Sequence, residues 1–247
     1  MKEWGLDLHI HSALSPCSSK EMLPGPVLSR AKELGISAIA ITDHNSAGNA
    51  RAFLEKGREL GIMVFPGMEL QSIEDIHLIC LFENLADLLA FQEQVYLQLP
   101  QMDNNKESFG EQWLVDKEGL LIGEVEQILL IGTSLSVDEW VTHVHQLGGL
   151  CIAAHVDRQG FSLWGHLACL PPELDLDGVE LTPHLRRDPV LMEAIKKRGL
   201  SYVISSDAHY LADLRAPQCF ARMEELTLLE LKQALSGQNG RMIRTLR

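Results

Sequence analysis

Apolar and polar positions along the 247-residue chain fall into two rhythms. Leu6-Asp7-Leu8-His9-Ile10-His11 alternates with a period of two, the pattern of a strand whose faces differ. Continuous apolar runs follow at 36–42 (ISAIAIT), 62–68 (IMVFPGM), 77–82 (HLICLF) and 150–154, the pattern of strands buried on both faces. Shorter strands are predicted at 178–181, 202–205 and 242–245. Between them lie helical stretches: 27–34 behind Pro24 and Pro26, 47–60 stopped by Gly61, 85–99, 136–146, 189–198 before Gly199, and 227–235. Strand and helix in alternation predict an α/β fold with a largely parallel sheet. The rhythm fails between about 84 and 135, where a helical stretch precedes polar residues 100–110 and a mixed segment 112–131 without clear period. This reads as a small helical subdomain inserted into a single domain spanning 1–247.

Composition narrows the class. A hydrophobic content of 46% supports a core of ordinary size. Lys and Arg number 21 against 34 Asp and Glu, a formal charge of -13, which argues against a broad grip on duplex nucleic acid. Five scattered cysteines without CxxC pairs argue against a disulfide framework and for a reducing, cytoplasmic setting. No apolar run approaches the ~18 residues of a membrane span, so no membrane partner is expected.

Chemistry enters through histidine. His9 and His11 share one face of their strand, and two imidazoles aimed at one point suggest a metal. Further donors follow the other strands: Cys17, Asp43-His44, Glu69, His77, His155, Asp207 and His209. Most stand at or just beyond a strand's C-terminal end, where α/β enzymes build their sites; His77, which opens its strand, is the exception. Six imidazoles with Glu69 and Asp207 are too many for one ion, so two or three divalent ions (Zn, Mn or Fe) are implied, with Glu69 as the bridging candidate. Such a site clamps phosphoryl oxygens and activates water, which points to phosphate-ester hydrolysis. Asp43, directly before a ligand candidate, is read as orienting an imidazole. His143 and His145 also read HxH but lie in a helix, where i and i+2 diverge. Arg158 and His184 sit in loops facing the site and are the substrate-binding candidates, with Arg186 and Arg187 read as solvated loop cations. No Gly-rich phosphate loop, GxSxG motif or nucleophilic cysteine signature is present.

Taken together, DLHIHSALSPCS, AITDHNS, GMEL followed by HLICLF, AAHVDR and ISSDAH resemble the PHP (polymerase and histidinol phosphatase) family. The resemblance spans nearly the whole chain outside the insertion. It implies a distorted (β/α)7 barrel with a trinuclear metal site that hydrolyses phosphoesters by metal-hydroxide attack. Carried over, one ion takes His9, His11, Glu69 and Asp207, a second shares Glu69 and adds His77 and His155, and a third takes His44, His209 and position 17. Glu69, Asp207 and His209 then act catalytically through the metals. Position 17 departs from the pattern, which has His or Asp where this chain has Cys17. A thiolate favours Zn or Fe(II) over Mn; the alternative is a small buried thiol. The expected substrate is a small phosphomonoester such as a nucleotide or nucleoside bisphosphate. The alternatives are an exonuclease on short oligonucleotides, a non-catalytic metal-binding regulatory module, and hydrolysis at a carbon–nitrogen bond.

Overall fold

The computed structural model describes residues 1–183 and 187–246. Strand β1 (Lys2–Ile10) pairs in parallel with β2 (Ala38–Ile41), and β2 in parallel with β3 (Met63–Gln71). The chain then turns over five residues into β4 (His77–Leu81), antiparallel to β3. A long excursion follows, carrying the small hairpin β5 (Trp113–Val115) and β6 (Leu121–Glu124). The main sheet resumes with β7 (Leu150–Ala153), antiparallel to β4, and with β8 (Gly178–Leu181) and β9 (Tyr202–Ile204), both parallel. On the far side of β1 lie β10 (Cys219–Met223) and β11 (Met242–Thr245), both antiparallel.

Beyond β9, Ala208 bridges Ile10 in parallel, and its carbonyl accepts from His11 N–H at 3.0 Å. The nine-stranded sheet thereby becomes a nearly closed barrel. A strict β/α repeat is not kept, because β3 reaches β4 by a tight turn rather than through a helix. That reversal places His77: the start of an antiparallel strand lies at the same barrel end as the C-terminal ends of its neighbours.

Among the described residues there are eight α-helices. They are α1 (Pro24–Glu33), α2 (Ala50–Leu60), α3 (Leu85–Gln98), the single turn α4 (Lys106–Phe109), α5 (Val137–Gln146), the short α6 (Leu163–Leu167), α7 (Pro189–Arg198) and α8 (Leu228–Leu235). Their ends follow local chemistry. Ser136 and Glu139 form a capping box on α5, Asn84 caps α3, and Asp188 with Pro189 opens α7. Gly61 and Gly199 close α2 and α7 in the left-handed region.

The core has three parts: one joins β3, β4, β7 and β8 to α3, α5 and α7, one gathers β1, β4, β7 and β10 around α8, and one packs α1 and α2 on β1 and β2. Within residues 84–135 the chain holds α3, α4 and the β5–β6 hairpin, the latter in the stretch without clear period. Leu88, Phe91 and Val95 of α3 join the largest core cluster, so this helix is continuous with the barrel's packing. No helix among the described residues is long and apolar enough to cross a membrane.

Candidate metal centre

The period-two pattern of β1 sets His9 and His11 side by side, their Nε2 atoms 3.1 Å apart. Two carboxylates close on the same point. Asp207 Oδ1 lies 3.2 Å from His9 Nε2 and 3.1 Å from His11 Nε2, and the Glu69 oxygens lie 3.2 and 3.3 Å from the same nitrogens. Separations of this size are what four donors adopt around one ion with bonds of ~2.0–2.2 Å. Glu69 also reaches the other histidines: Oε1 is 2.9 Å from His77 Nδ1 and 3.1 Å from His155 Nε2, and Oε2 is 2.9 Å from His44 Nδ1. Register explains the His77 contact. Glu69 pairs with Ile79, so His77, two residues earlier, is a diagonal neighbour on the same face. The donors fall into three groups that share members: His9, His11 and Glu69; His44, Glu69 and His77; and His11, His44 and His209.

The arrangement fits divalent cations on evidence beyond proximity. His44 Nδ1 and Glu69 Oε2 are buried and face one another, yet neither makes a hydrogen bond, and His77 Nε2 and His155 Nδ1 are likewise buried without a partner. Buried polar atoms in proteins are almost always satisfied, so the facing pair of His44 Nδ1 and Glu69 Oε2, 2.9 Å apart, marks a place for a ligand.

A second layer fixes the rings. His9 Nδ1 faces Glu180 Oε2 at 3.0 Å, and the same oxygen accepts His155 N–H at 2.9 Å. A carboxylate only accepts, so His9 keeps a proton on Nδ1, and Nε2 is the nitrogen it offers to the cluster. His11 is set by a relay. The Ser15 hydroxyl donates to Asp43 Oδ1 at 2.7 Å, leaving its oxygen to accept from His11 Nδ1 at 2.9 Å. Asp43 also takes the Ser12 N–H and hydroxyl at 2.7 and 2.6 Å. It therefore orients an imidazole through Ser15 while pinning the loop after β1. His155 and Asp207 hold positive φ angles of 28° and 49°. Such conformations cost about 1–3 kcal/mol and persist where surrounding contacts enforce them. Glu180 enforces one, and Asp7, accepting from Ser206 N–H at 3.0 Å, braces the turn that carries the other.

Charge is divided within the cluster. Burial opposes charging His9, but Glu180, Asp207 and Glu69 outweigh it and raise its pKa well above the usual range. Against the same burial, the Asp207 and Glu69 carboxylates raise His11 to about 9, and Glu69 raises His44 to about 9. Burial lowers His77 to about 4, and burial with the nearby His11 lowers His209 to about 4. Despite burial, Glu69 and Asp207 are held well below ordinary carboxylate values by the surrounding imidazoles.

The remaining candidates distribute clearly. Arg158 pairs through Nη2 with Asp207 Oδ2 at 2.6 Å and lines the cleft above the cluster. His184 and Arg186 lie outside the described residues. Arg187 is not a solvated cation; it bonds Asp157 and the Thr182 carbonyl, bracing the loop after β8. Cys17 is exposed, which overturns the buried-thiol alternative, and its thiol adds to the interactions that raise His44. It stands outside the three donor groups, where His11 joins His44 and His209 instead. His143 bonds Gln94 and His145 bonds Asp177, away from the centre. Sequence reading missed Glu180, Ser15 and Asp7. For Glu180 and Asp7 the signal was a carboxylate inside an apolar strand; for Ser15 there was none.

The cleft has a volume of about 600 Å3 and is floored by His44, Glu69, His77, His155, Asp207 and His209. A model of the PHP domain matches residues 7–158, more than half of the chain. No curated protein matches. Among solved structures, the lesion-specific endonuclease Q of Pyrococcus furiosus superposes with a TM-score of 0.72 at 21% identity, over 98% of this chain and 58% of that one. The chain thus spans less than two thirds of endonuclease Q. A protein of Bifidobacterium adolescentis described as a metal-dependent phosphoesterase gives a TM-score of 0.57 at 18% identity, over 83% of this chain and 88% of its own. An amidohydrolase of Chromobacterium violaceum, solved with sulfate and no metal, gives the same TM-score, identity and coverage. At these identities the likenesses establish the fold.

Proposed function

The chain belongs to the PHP domain family of metal-dependent hydrolases, and on that premise we propose that it hydrolyses a small phosphomonoester with two or three divalent ions, Zn, Mn or Fe, held by the histidine and carboxylate cluster. The observation that carries this reading is the sharing of Glu69 among donor groups: its two oxygens approach five imidazoles within 3.3 Å. One carboxylate serving several ions is the arrangement of a polynuclear hydrolytic site. Ions bound there supply positive charge to phosphoryl oxygens and bring the ionisation of water toward neutral pH.

The chain's own residues do the rest. His9, His11, Glu69 and Asp207 form one donor set, and His44, His77, His155 and His209 complete the others, with Cys17 positioned to contribute from the rim. Glu180 and Ser15 hold the first two rings in the tautomer that presents Nε2. Arg158 stands at the edge of the cluster with donors that match a phosphate oxygen pair. Phe109, Leu130 and Ile131 from the 84–135 excursion form part of the cleft wall, so this segment acts as a partial cap.

A nuclease is the second reading, favoured by the likeness to endonuclease Q, one structure of which holds a 27-mer duplex with an abasic lesion at the active site. That likeness removes net charge alone as a reason to set duplex nucleic acid aside. The test is inorganic phosphate release from phosphomonoesters, nucleotides and nucleoside bisphosphates, with parallel cleavage of oligonucleotides and duplexes, under added Mn, Zn or Fe(II) and with a chelator control. Chelator-sensitive release from monoesters is expected. Strand cleavage without monoester turnover moves the reading to a nuclease. No hydrolysis from protein shown to be metal-loaded refutes it in favour of amide hydrolysis or a regulatory module.

A further inference from the structure

The cleft carries more apolar surface than a phosphate requires. Phe161 and Phe109 line it with 48% and 44% of their surface exposed, beside Leu130 and Ile131. Large apolar side chains left open in a concave site form a recognition surface. Phe161 is held in place by three constraints. Its ring stacks on His77 with centroids 4.9 Å apart and planes 28° apart. Its carbonyl accepts the His77 N–H at 3.0 Å. Its backbone sits at φ 57°, a conformation bulky residues adopt only where contacts enforce it. One face is thus spent on a member of the donor cluster while nearly half of the side chain stays open.

We propose that this wall binds a nucleobase, so that the substrate is a phosphoester of a nucleoside, with its phosphoryl group at the donor cluster and its base against Phe161. The phosphoryl part rests on the phosphoesterase reading; the base part rests on Phe161 and Phe109. Stacking on an aromatic side chain is tolerant of base identity and worth roughly 5- to 100-fold in affinity per base. A bare sugar phosphate would instead press hydroxyls against Phe, Leu and Ile side chains and lose water without gaining hydrogen bonds. A cleft of about 600 Å3 has room for a whole mononucleotide. The same chemistry arrives as a free nucleotide or as the terminal nucleotide of a strand.

The experiment is calorimetric binding of adenosine monophosphate, ribose 5-phosphate and a 5′-phosphorylated trinucleotide to the full chain at matched metal content, for wild type, Phe161→Leu and Phe109→Leu. Wild type is expected to bind the nucleotide at least 10-fold more tightly than the sugar phosphate. Phe161→Leu is expected to shrink that preference roughly 5- to 50-fold, and Phe109→Leu to shrink it in the same direction. A trinucleotide bound more tightly than the mononucleotide upholds the wall and assigns it to strand ends; equal or weaker binding upholds it for free nucleotides. Equal affinity of wild type for nucleotide and sugar phosphate overturns the proposal, as does failure to bind either. So does a Phe161→Leu variant in which both affinities fall together, since the ring would then serve only to support His77. Base preference without phosphate release from any ester would refute hydrolysis and keep the wall; release without base preference would do the reverse.

Discussion

Removing Glu180 tests the idea that this carboxylate sets the ligand face of His9. Its Oε2 accepts from both His9 Nδ1 and His155 N–H, and the residue is fully buried. Glu180→Gln keeps the shape and leaves an amide oxygen able to accept both bonds, but converts a charge-assisted bond to a neutral one. That loses about 1–1.5 kcal/mol, or roughly tenfold in metal affinity. Glu180→Ala also frees His9 to adopt the other tautomer and strands the His155 N–H. A full loss of this kind of outer support costs roughly 10- to 100-fold in metal affinity, and the orphaned donor costs about 1–3 kcal/mol of stability. Metal affinity would be read by competition with a chromophoric chelator, and stability by urea unfolding of metal-free protein. The expected order is wild type, then Gln, then Ala in both assays. Glu180→Ala within twofold of wild type in metal affinity would refute the positioning argument, whatever its stability.

Asp207→Asn, which weakens the acceptor shared by His9, His11 and Arg158, is expected to lower turnover by at least ~10²-fold while circular dichroism stays unchanged; near-normal rates would remove Asp207 from the site. Protons held on His11 and His44, both raised to about 9, must leave when a metal binds. Metal affinity is therefore expected to climb steadily from pH 6 to 9, and a flat profile by chelator competition would count against these histidines as ligands. Burial pushes Asp7 up from 3.8 to about 6, so its folded form holds a proton that the unfolded chain has lost. That contribution is present below about pH 4 and is lost as pH rises through 6, about 3 kcal/mol in all. Asp7→Asn should gain on wild type by that amount between pH 3.5 and 7 in unfolding of metal-free protein, and parallel profiles would contradict it. Gly110 holds φ 98°, and a Cβ there would lie 2.4 Å from the Pro16 carbonyl oxygen. Gly110→Ala is expected to cost about 2–3 kcal/mol of stability, and an unchanged urea midpoint would show that the loop simply shifts.

Much of this was legible because strands write their faces into the chain. His9 and His11 were readable from period two alone, and the helix brackets Gly61 and Gly199 fell where φ turns positive. His77 was the difficulty. A histidine at the start of a strand belongs at the wrong end of a parallel barrel, and only the β3–β4 reversal, a property of pairing, brings it to Glu69. The β5–β6 hairpin escaped for a related reason: its short strands pack against the loop after β1 and the start of α2, as when Trp113 N–H donates to the Ala13 carbonyl and Val115 N–H to the Asn49 side chain. Burial along β5 is decided by these long-range contacts, Leu121 and Ile122 of β6 stay exposed, and no local period results. Cys17 shows the limit of motif transfer. Position 17 lies in the expected loop, exposed and with its thiol within reach of His44, while the donor grouped with His44 and His209 is His11.

The net charge and the proposed ligand are reconciled inside the cluster. Glu69 and Glu180 are buried and the Asp207 side chain is nearly so, with the buried Asp7 close enough to Glu180 to feel its charge, and a phosphate brought to this floor without compensation meets carboxylates at close range. Among the described residues lining the cleft, Arg158 is the one arginine or lysine, and it is already paired with Asp207. Protonated His9, His11 and His44 offset part of the negative charge, but their proton-bearing nitrogens are turned toward Glu69, Asp207 and Glu180 and so offer little to a ligand above. Two or three divalent ions on the same donors would reverse the local field and release Arg158 from acting as the counter-ion of Asp207. Anion binding at this site is thus coupled to metal binding by charge alone. An acidic protein needs no basic surface to take a phosphoester so long as the positive charge is supplied at the point where the ester is held.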